Sequence, residues 1–132
     1  MTGVCFLDIR KCFDSIYHKL LKTKLSYYGI QENELKWFCN YLDDRSQVVS
    51  HGDAISDVKN LHIGVPQGSV LGPILFTIFI NDLTQYVGNA TCNLNADDTV
   101  VFCQGSNCGD VNNALQENIH NLSEWYKDNN LF

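Results

Sequence analysis

The chain predicts an α+β fold, a small antiparallel sheet with helices packed on one face. Two observations carry this. Short apolar runs of strand length sit near the start of the chain and again on either side of the tip Asn95-Ala96-Asp97-Asp98, which reads as a β-hairpin. Between and after these runs, apolar residues recur at helical spacing in four separate stretches. With 132 residues, 45% of them apolar and 11% aromatic, one domain with a real core is expected. A chain of this length buries roughly two-thirds of its unfolded surface.

Taken in order, residues 4–7 form a continuous apolar run, the pattern of a strand covered on both faces, and Asp8 closes it. Asp14 or Ser15 is placed to cap a helix in which Tyr17, Leu21, Leu25 and Tyr28 recur, and Gly29 stands where a left-handed residue ends it. A second helix spans 32–42, with the core stripe Leu35, Phe38, Cys39 and Leu42. Residues 47–50 and 58–63 read as two short strands around His51-Gly52-Asp53. Regular structure breaks at 64–69. A strongly apolar helix follows to Leu83, with Pro73 near its start, where missing N–H groups are tolerated. The hairpin at 91–103 comes next. A last amphipathic helix carries Val111, Leu115, Ile119, Leu122 and Trp125.

The formal net charge of -6 argues against a free-standing nucleic-acid binder. None of the six cysteines (Cys5, Cys12, Cys39, Cys92, Cys103, Cys108) forms a C-x-x-C pair or a zinc-finger spacing with histidine, so reduced thiols are expected. Asp8 and Arg10 interrupt the N-terminal apolar run, and the apolar stretch at 70–80 is too short to span a bilayer. An intracellular protein, cytoplasmic or nuclear and without a membrane partner, is expected. A core-like strand straight after Met1, and the abrupt stop at Leu131-Phe132, suggest an excerpt of something longer.

The chemistry centres on carboxylates. Adjacent acids on a turn are ordinarily just solvated, but Asp8 ends a second apolar run. If the two strands are neighbours, Asp8, Asp97 and Asp98 converge, and oxygen clusters of that kind hold hard divalent cations.

Three pieces stand in order: Phe6-Leu7-Asp8-Ile9-Arg10-Lys11-Cys12-Phe13-Asp14, then Gly64-Val65-Pro66-Gln67-Gly68-Ser69-Val70-Leu71-Gly72-Pro73, then Asn95-Ala96-Asp97-Asp98. Leu75-Phe76 and Ile80-Asn81-Asp82-Leu83 continue the second, and Leu122-Ser123-Glu124-Trp125-Tyr126 follows the third. Together they resemble the palm of a reverse transcriptase of the non-LTR, LINE-like retrotransposon type. The resemblance implies that residues 1–132 are a partial reverse transcriptase domain, with fingers and thumb elsewhere in a parent polyprotein. It implies an RNA-directed DNA polymerase whose partners are an RNA template, a DNA primer and deoxynucleoside triphosphates. Asp8, Asp97 and Asp98 become its catalytic carboxylates and the ligands of Mg²⁺ or Mn²⁺.

On the residues alone a core Phe beside a helix start explains Phe13 about as well, but the resemblance favours the steric gate against a ribose 2′-hydroxyl. Arg10 and Lys11 approach the nucleotide phosphates, and Gln67 and Gly68 face the template and the incoming base pair. Asp14 is either a second recurrent acid or a helix cap. Asn95 departs from the family, which usually has Tyr or Phe beneath the primer end. The lysine expected beyond the last helix is also absent, since Lys127 does not occupy that position. Basic fingers and thumb outside the excerpt would reconcile the acidic charge with a nucleic-acid substrate. Two other readings compete. One is a catalytically dead retroelement remnant. The other is an acidic phospho-receiver domain, which needs a β/α alternation that the two hairpins do not supply.

Overall fold

A computed structural model of the chain describes residues 1–131, and Phe132 lies outside the described residues. The chain runs β1 (Thr2–Asp8), α1 (His18–Tyr27), α2 (Glu32–Leu42), β2 (Arg45–Gln47), β3 (Ser50–His51), β4 (Ala54–Ile55), β5 (Lys59–Leu61), α3 (Leu71–Ile80), β6 (Thr91–Asn95), β7 (Asp98–Gln104) and α4 (Cys108–Asp128). Short 3₁₀ segments occupy Cys12–Asp14 and Asn81–Tyr86. The fold is α+β, as the sequence predicts.

The main sheet has the order β1-β7-β6, with both pairings antiparallel. Its register sets Leu7 opposite Thr99 and Thr99 opposite Leu94, and likewise Cys5, Val101 and Cys92; these rows face the core. The alternate rows, such as Phe6, Val100 and Asn93, face away, and Phe6 is 78% exposed. The strand expected to be covered on both faces is therefore covered on one. The helices supply a single layer, so an antiparallel sheet of three strands keeps one open face and a period-two burial pattern along β1. Gly3 lets α4 press against β1, because a Cβ there would lie 2.4 Å from Val111 Cγ1.

The core is built from Leu21 and Leu25 of α1, Leu42 of α2, Leu75, Phe76 and Phe79 of α3, Val101 of β7, and Leu122 and Trp125 of α4. Helix α3 is apolar almost throughout, the signature of a helix packed on several sides. Lys24 closes this core in a way the sequence did not announce. Its ammonium donates to the Phe79 carbonyl at 2.7 Å and to Asp82 Oδ1 at 2.6 Å, and lies 4.7 and 4.8 Å from the ring centres of Phe79 and Trp125. Trp125 Nε1 donates to the same Asp82 oxygen at 3.2 Å. One buried cation thus ties α1, α3 and α4 together.

Local expectations hold unevenly. Helix α2 has the expected bounds, and Gly29 has φ 92. Neither Asp14 nor Ser15 caps α1. Residues 12–14 turn back on themselves, Tyr17 bridges to Ile63, and Tyr17 occupies the cap position without a side-chain bond. The two strands expected around His51-Gly52-Asp53 form a two-tiered hairpin, β2 with β5 and β3 with β4. The apolar helix stops at Ile80 and continues as a 3₁₀ helix. Asn107 caps α4 by accepting from the Asp110 N–H at 3.0 Å. All six cysteines are free. Among the described residues no helix is long and apolar enough to cross a membrane.

Candidate active site

Asp8 ends β1 directly opposite Asp98 at the start of β7, and Asp98 in turn pairs with Asn95 of β6. All three are exposed, on the open face of the sheet. Side chains directly opposite on such a pair stand about 4.5–5.5 Å apart at Cβ. Asp97 belongs to the turn and is half-buried. Ala96 before it has φ 54, a left-handed conformation that an L-residue with a Cβ adopts only under strain. Lys11, three residues after Asp8, is likewise left-handed at φ 53. The two strained residues flank the carboxylates from either side.

Asp97 lines a cavity of about 410 Å³ together with Lys11, Cys12, Phe13, Pro66, Gln67 and Gly68. Three separate stretches of sequence therefore meet there. Helix α3 begins below the cavity and the β6–β7 turn closes one side. The loop at 64–68 closes another, and it is held firmly. Val65 N–H donates to the Phe13 carbonyl and Gly64 N–H to the Ile16 carbonyl, both at 2.7 Å. His18 Nε2 donates to the Gly64 carbonyl at 2.6 Å. Gly64, at φ 84, is required: a Cβ would lie 2.9 Å from the Asp14 carbonyl oxygen. Gln67 Nε2 donates to Asp14 Oδ1 at 3.0 Å, so Asp14 orients the loop instead of capping a helix. Ser69 Oγ donates to the Pro66 carbonyl at 2.7 Å and accepts from Gly72 N–H at 3.0 Å, fixing the loop to the start of α3.

Phe13 does two things at once. One side of its ring packs on Phe76, with centroids 4.9 Å apart and planes at 36°, while the residue also lines the cavity. Cys12 is 4% exposed, and its thiol is pushed up to about 11, first by burial and then by the nearby Asp97 carboxylate. It remains a protonated thiol at neutral pH, a weak hydrogen-bond donor beside Asp97.

Of the residues singled out from the sequence, Lys11, Phe13, Gln67, Gly68 and Asp97 share this cavity. Asp8 and Arg10 open instead onto a smaller one of about 270 Å³, beside Tyr126 and Lys127. Asn95 stands on the open face of the sheet next to Asp98. Among the described residues no group of three His, Cys, Asp or Glu side chains is arranged as a ready metal cage. The donor chemistry nevertheless suits a hard cation, since Asp8, Asp98 and Asp97 offer only carboxylate oxygens at one end of one sheet. Sequence reasoning missed Cys12 as a cavity wall and His18 as the bolt on the loop. Neither left a readable signal, because both depend on contacts with residues distant in the chain.

Residues 1–132 match the family model described as "Reverse transcriptase (RNA-dependent DNA polymerase)". The chain is 33% identical over 130 residues to the "Probable RNA-directed DNA polymerase from transposon X-element" of Drosophila melanogaster, covering 91% of this chain and 14% of that protein. It is also 33% identical over 132 residues to the "RNA-directed DNA polymerase from mobile element jockey" of Drosophila funebris, covering 94% and 14% respectively. The chain thus spans about one-seventh of these relatives' length. Its fold resembles that of apo telomerase from Candida tropicalis truncated from the C-terminal domain, with a TM-score of 0.70 at 15% identity over 99% of this chain and 28% of that one.

Proposed function

The chain belongs to the reverse transcriptase family, and from that premise we propose that it is the palm portion of a non-LTR retrotransposon RNA-directed DNA polymerase. In this reading it transfers a deoxynucleotide to a primer 3′-hydroxyl on an RNA template, and fingers and thumb are supplied by other parts of a parent polypeptide. The observation that carries the reading is the cavity in which Asp97, Lys11, Phe13, Gln67 and Gly68, drawn from three distant stretches of sequence, line one space.

The reaction is an in-line displacement at the α-phosphorus, for which a protein mainly positions groups and neutralises charge. Asp8, Asp97 and Asp98 would hold the divalent ions, which when bound stabilise the attacking and leaving oxygens. The roles left to the chain's other residues are steric and positional. Phe13, braced by Phe76, walls the side of the cavity where the sugar of the incoming nucleotide would lie. Lys11 brings positive charge towards its phosphates. Gln67, steadied by Asp14, keeps its carbonyl oxygen free for the base pair, while Gly68 allows close backbone approach.

The metal arm of this reading is open to test on the chain itself. Mn²⁺ titration should show weak binding that is lost in the triple variant Asp8→Asn, Asp97→Asn, Asp98→Asn. Equal binding by both proteins would contradict the assignment of these carboxylates.

A further inference from the structure

Of the three carboxylates, Asp97 is the one the fold leaves half-buried, and a carboxylate so placed keeps one orientation only if a donor holds it. The side-chain donors in the wall of its cavity belong to Lys11, Cys12 and Gln67. Gln67 Nε2 is committed to Asp14 Oδ1 at 3.0 Å, and Lys11 makes no ion pair with Asp97 among the described residues. That leaves the Cys12 thiol. A rigid turn presents it. Lys11 before it is left-handed at φ 53, and the Lys11 carbonyl accepts from Asp14 N–H at 2.9 Å and from Ser15 N–H at 3.0 Å. One residue on, the Phe13 carbonyl accepts from Val65 N–H at 2.7 Å. The sulfur is 4% exposed, so the thiol hydrogen is free to rotate and little else can move. On the facing side, Ala96 at φ 54 fixes the turn that carries Asp97. The thiol is raised first by burial and next by Asp97, which acts on it as a charge and as an acceptor. The contact is a loose one, felt by the thiol but outside strict hydrogen-bond geometry.

We propose that Cys12 is a positioning residue: its S–H donates to the Asp97 carboxylate and holds that side chain in the cavity wall, ready for a cation. What Asp97 then does rests on the polymerase reading above; the contact itself does not. A thiol suits the role because it is a weak donor. It orients the carboxylate and gives way when a hard cation draws the same oxygens, whereas an ammonium in that place would compete with the cation for them.

The test uses the 132-residue chain, first without metal and then with Mn²⁺. In the metal-free chain, the wild-type minus Cys12→Ser Raman difference isolates the Cys12 S–H stretch from those of the other thiols. That band should move to higher frequency in Asp97→Ala, where its acceptor is gone, and stay in place in Asp98→Ala. A thiol that only fills space would be indifferent to both. With Mn²⁺, followed by the loss of the free ion's paramagnetic resonance signal, Cys12→Ala should weaken binding about tenfold, the usual order for a residue that orients a metal ligand. Cys12→Ser keeps a donor and should restore most of the affinity. Cys108→Ser, at the exposed start of α4, should change nothing. Circular dichroism checks the fold of each variant. If Cys12→Ala does not fold, the shift of the thiol band in Asp97→Ala reads the same contact in a protein that keeps Cys12. The inference is overturned if the thiol band ignores Asp97→Ala, or if folded Cys12→Ala binds Mn²⁺ as tightly as wild type. A band that responds to Asp97 in a wild-type chain that binds no Mn²⁺ would uphold the contact and sink the metal assignment alone.

Discussion

Asp82→Ala should be among the most damaging substitutions in the chain, and more damaging than removal of the lysine it serves. Asp82 Oδ1 accepts from Lys24 Nζ at 2.6 Å and from Trp125 Nε1 at 3.2 Å, so truncation strands a buried ammonium and an indole N–H together. Stripping one partner from a buried pair costs about 3–5 kcal/mol. Because the Asp82 side chain keeps 29% of its surface in water, the lower end of that range, about 3 kcal/mol, is expected. Lys24→Met removes the buried charge itself. The thioether chain fills much of the same space against Phe79 and Trp125, while Asp82 keeps its bond from Trp125 and its water, so a loss of only about 1 kcal/mol is expected. The double variant should be more stable than Asp82→Ala alone. Urea unfolding measures all three, read as midpoints at constant slope. Burial holds the Lys24 ammonium below its ordinary value of 10.5, against the pull of Asp82. A base depressed in the folded state contributes stability that is complete above its unfolded pKa and lost as pH falls through the folded one. The wild type should therefore gain stability as pH climbs towards 10.5, and Lys24→Met should lose that gain. If Lys24→Met proves as costly as Asp82→Ala, or the two losses simply add, the reasoning is wrong.

Other outcomes follow from the site. The Cys12 thiol is raised from 9.0 to about 11 in the folded chain, so its contribution is complete below pH 9 and lost as pH rises towards 11. Urea curves at the two ends of that window should show wild type losing about 2–3 kcal/mol more than Cys12→Ala. Ala96→Gly relieves a left-handed residue but adds unfolded-state freedom, for a net gain of about 0.5 kcal/mol in thermal or urea melts; a loss would mean that Ala96 is not strained. Phe13→Ala should cost about 2–3 kcal/mol, less than a fully buried Phe, since one side of the ring faces the cavity. Within a completed polymerase, Phe13→Val should admit ribonucleotides more readily, and unchanged discrimination would leave Phe13 as a packing residue only. Asn95→Tyr in the same completed chain should raise primer extension up to about tenfold if stacking at the primer end is what the position lacks.

Much of the architecture was legible because it rests on local pattern. The bounds of α2, the left-handed Gly29, the late hairpin and the amphipathic α4 all follow from spacing within one window. The two-sided covering assumed for β1 failed for a reason beyond any window, since a continuous apolar run does not reveal how many helical layers the rest of the chain provides. Asp14 looked like a cap because capping is the common local use of such a residue. Its partner, Gln67, is 53 residues away. The same holds for Lys24, which reads as an exposed helical lysine until Phe79, Asp82 and Trp125 close around it. At the site, spacing along the sequence singled out three carboxylates, and how the fold divides them was not legible. Alternation along paired strands puts Asp8 and Asp98 on the open face, while the turn sends Asp97 towards the cavity.

The most direct measurement is primer extension on an RNA template with Mg²⁺, comparing the 132-residue chain with the same chain joined to fingers and thumb from a jockey-type relative. Positioning supplies much of the rate in phosphoryl transfer, so the completed chain should extend the primer and the short chain should not. Extension should disappear with Asp97→Asn. A well-folded completed chain that extends nothing, or extension that survives Asp97→Asn, would contradict the assignment of this chain as a working polymerase palm.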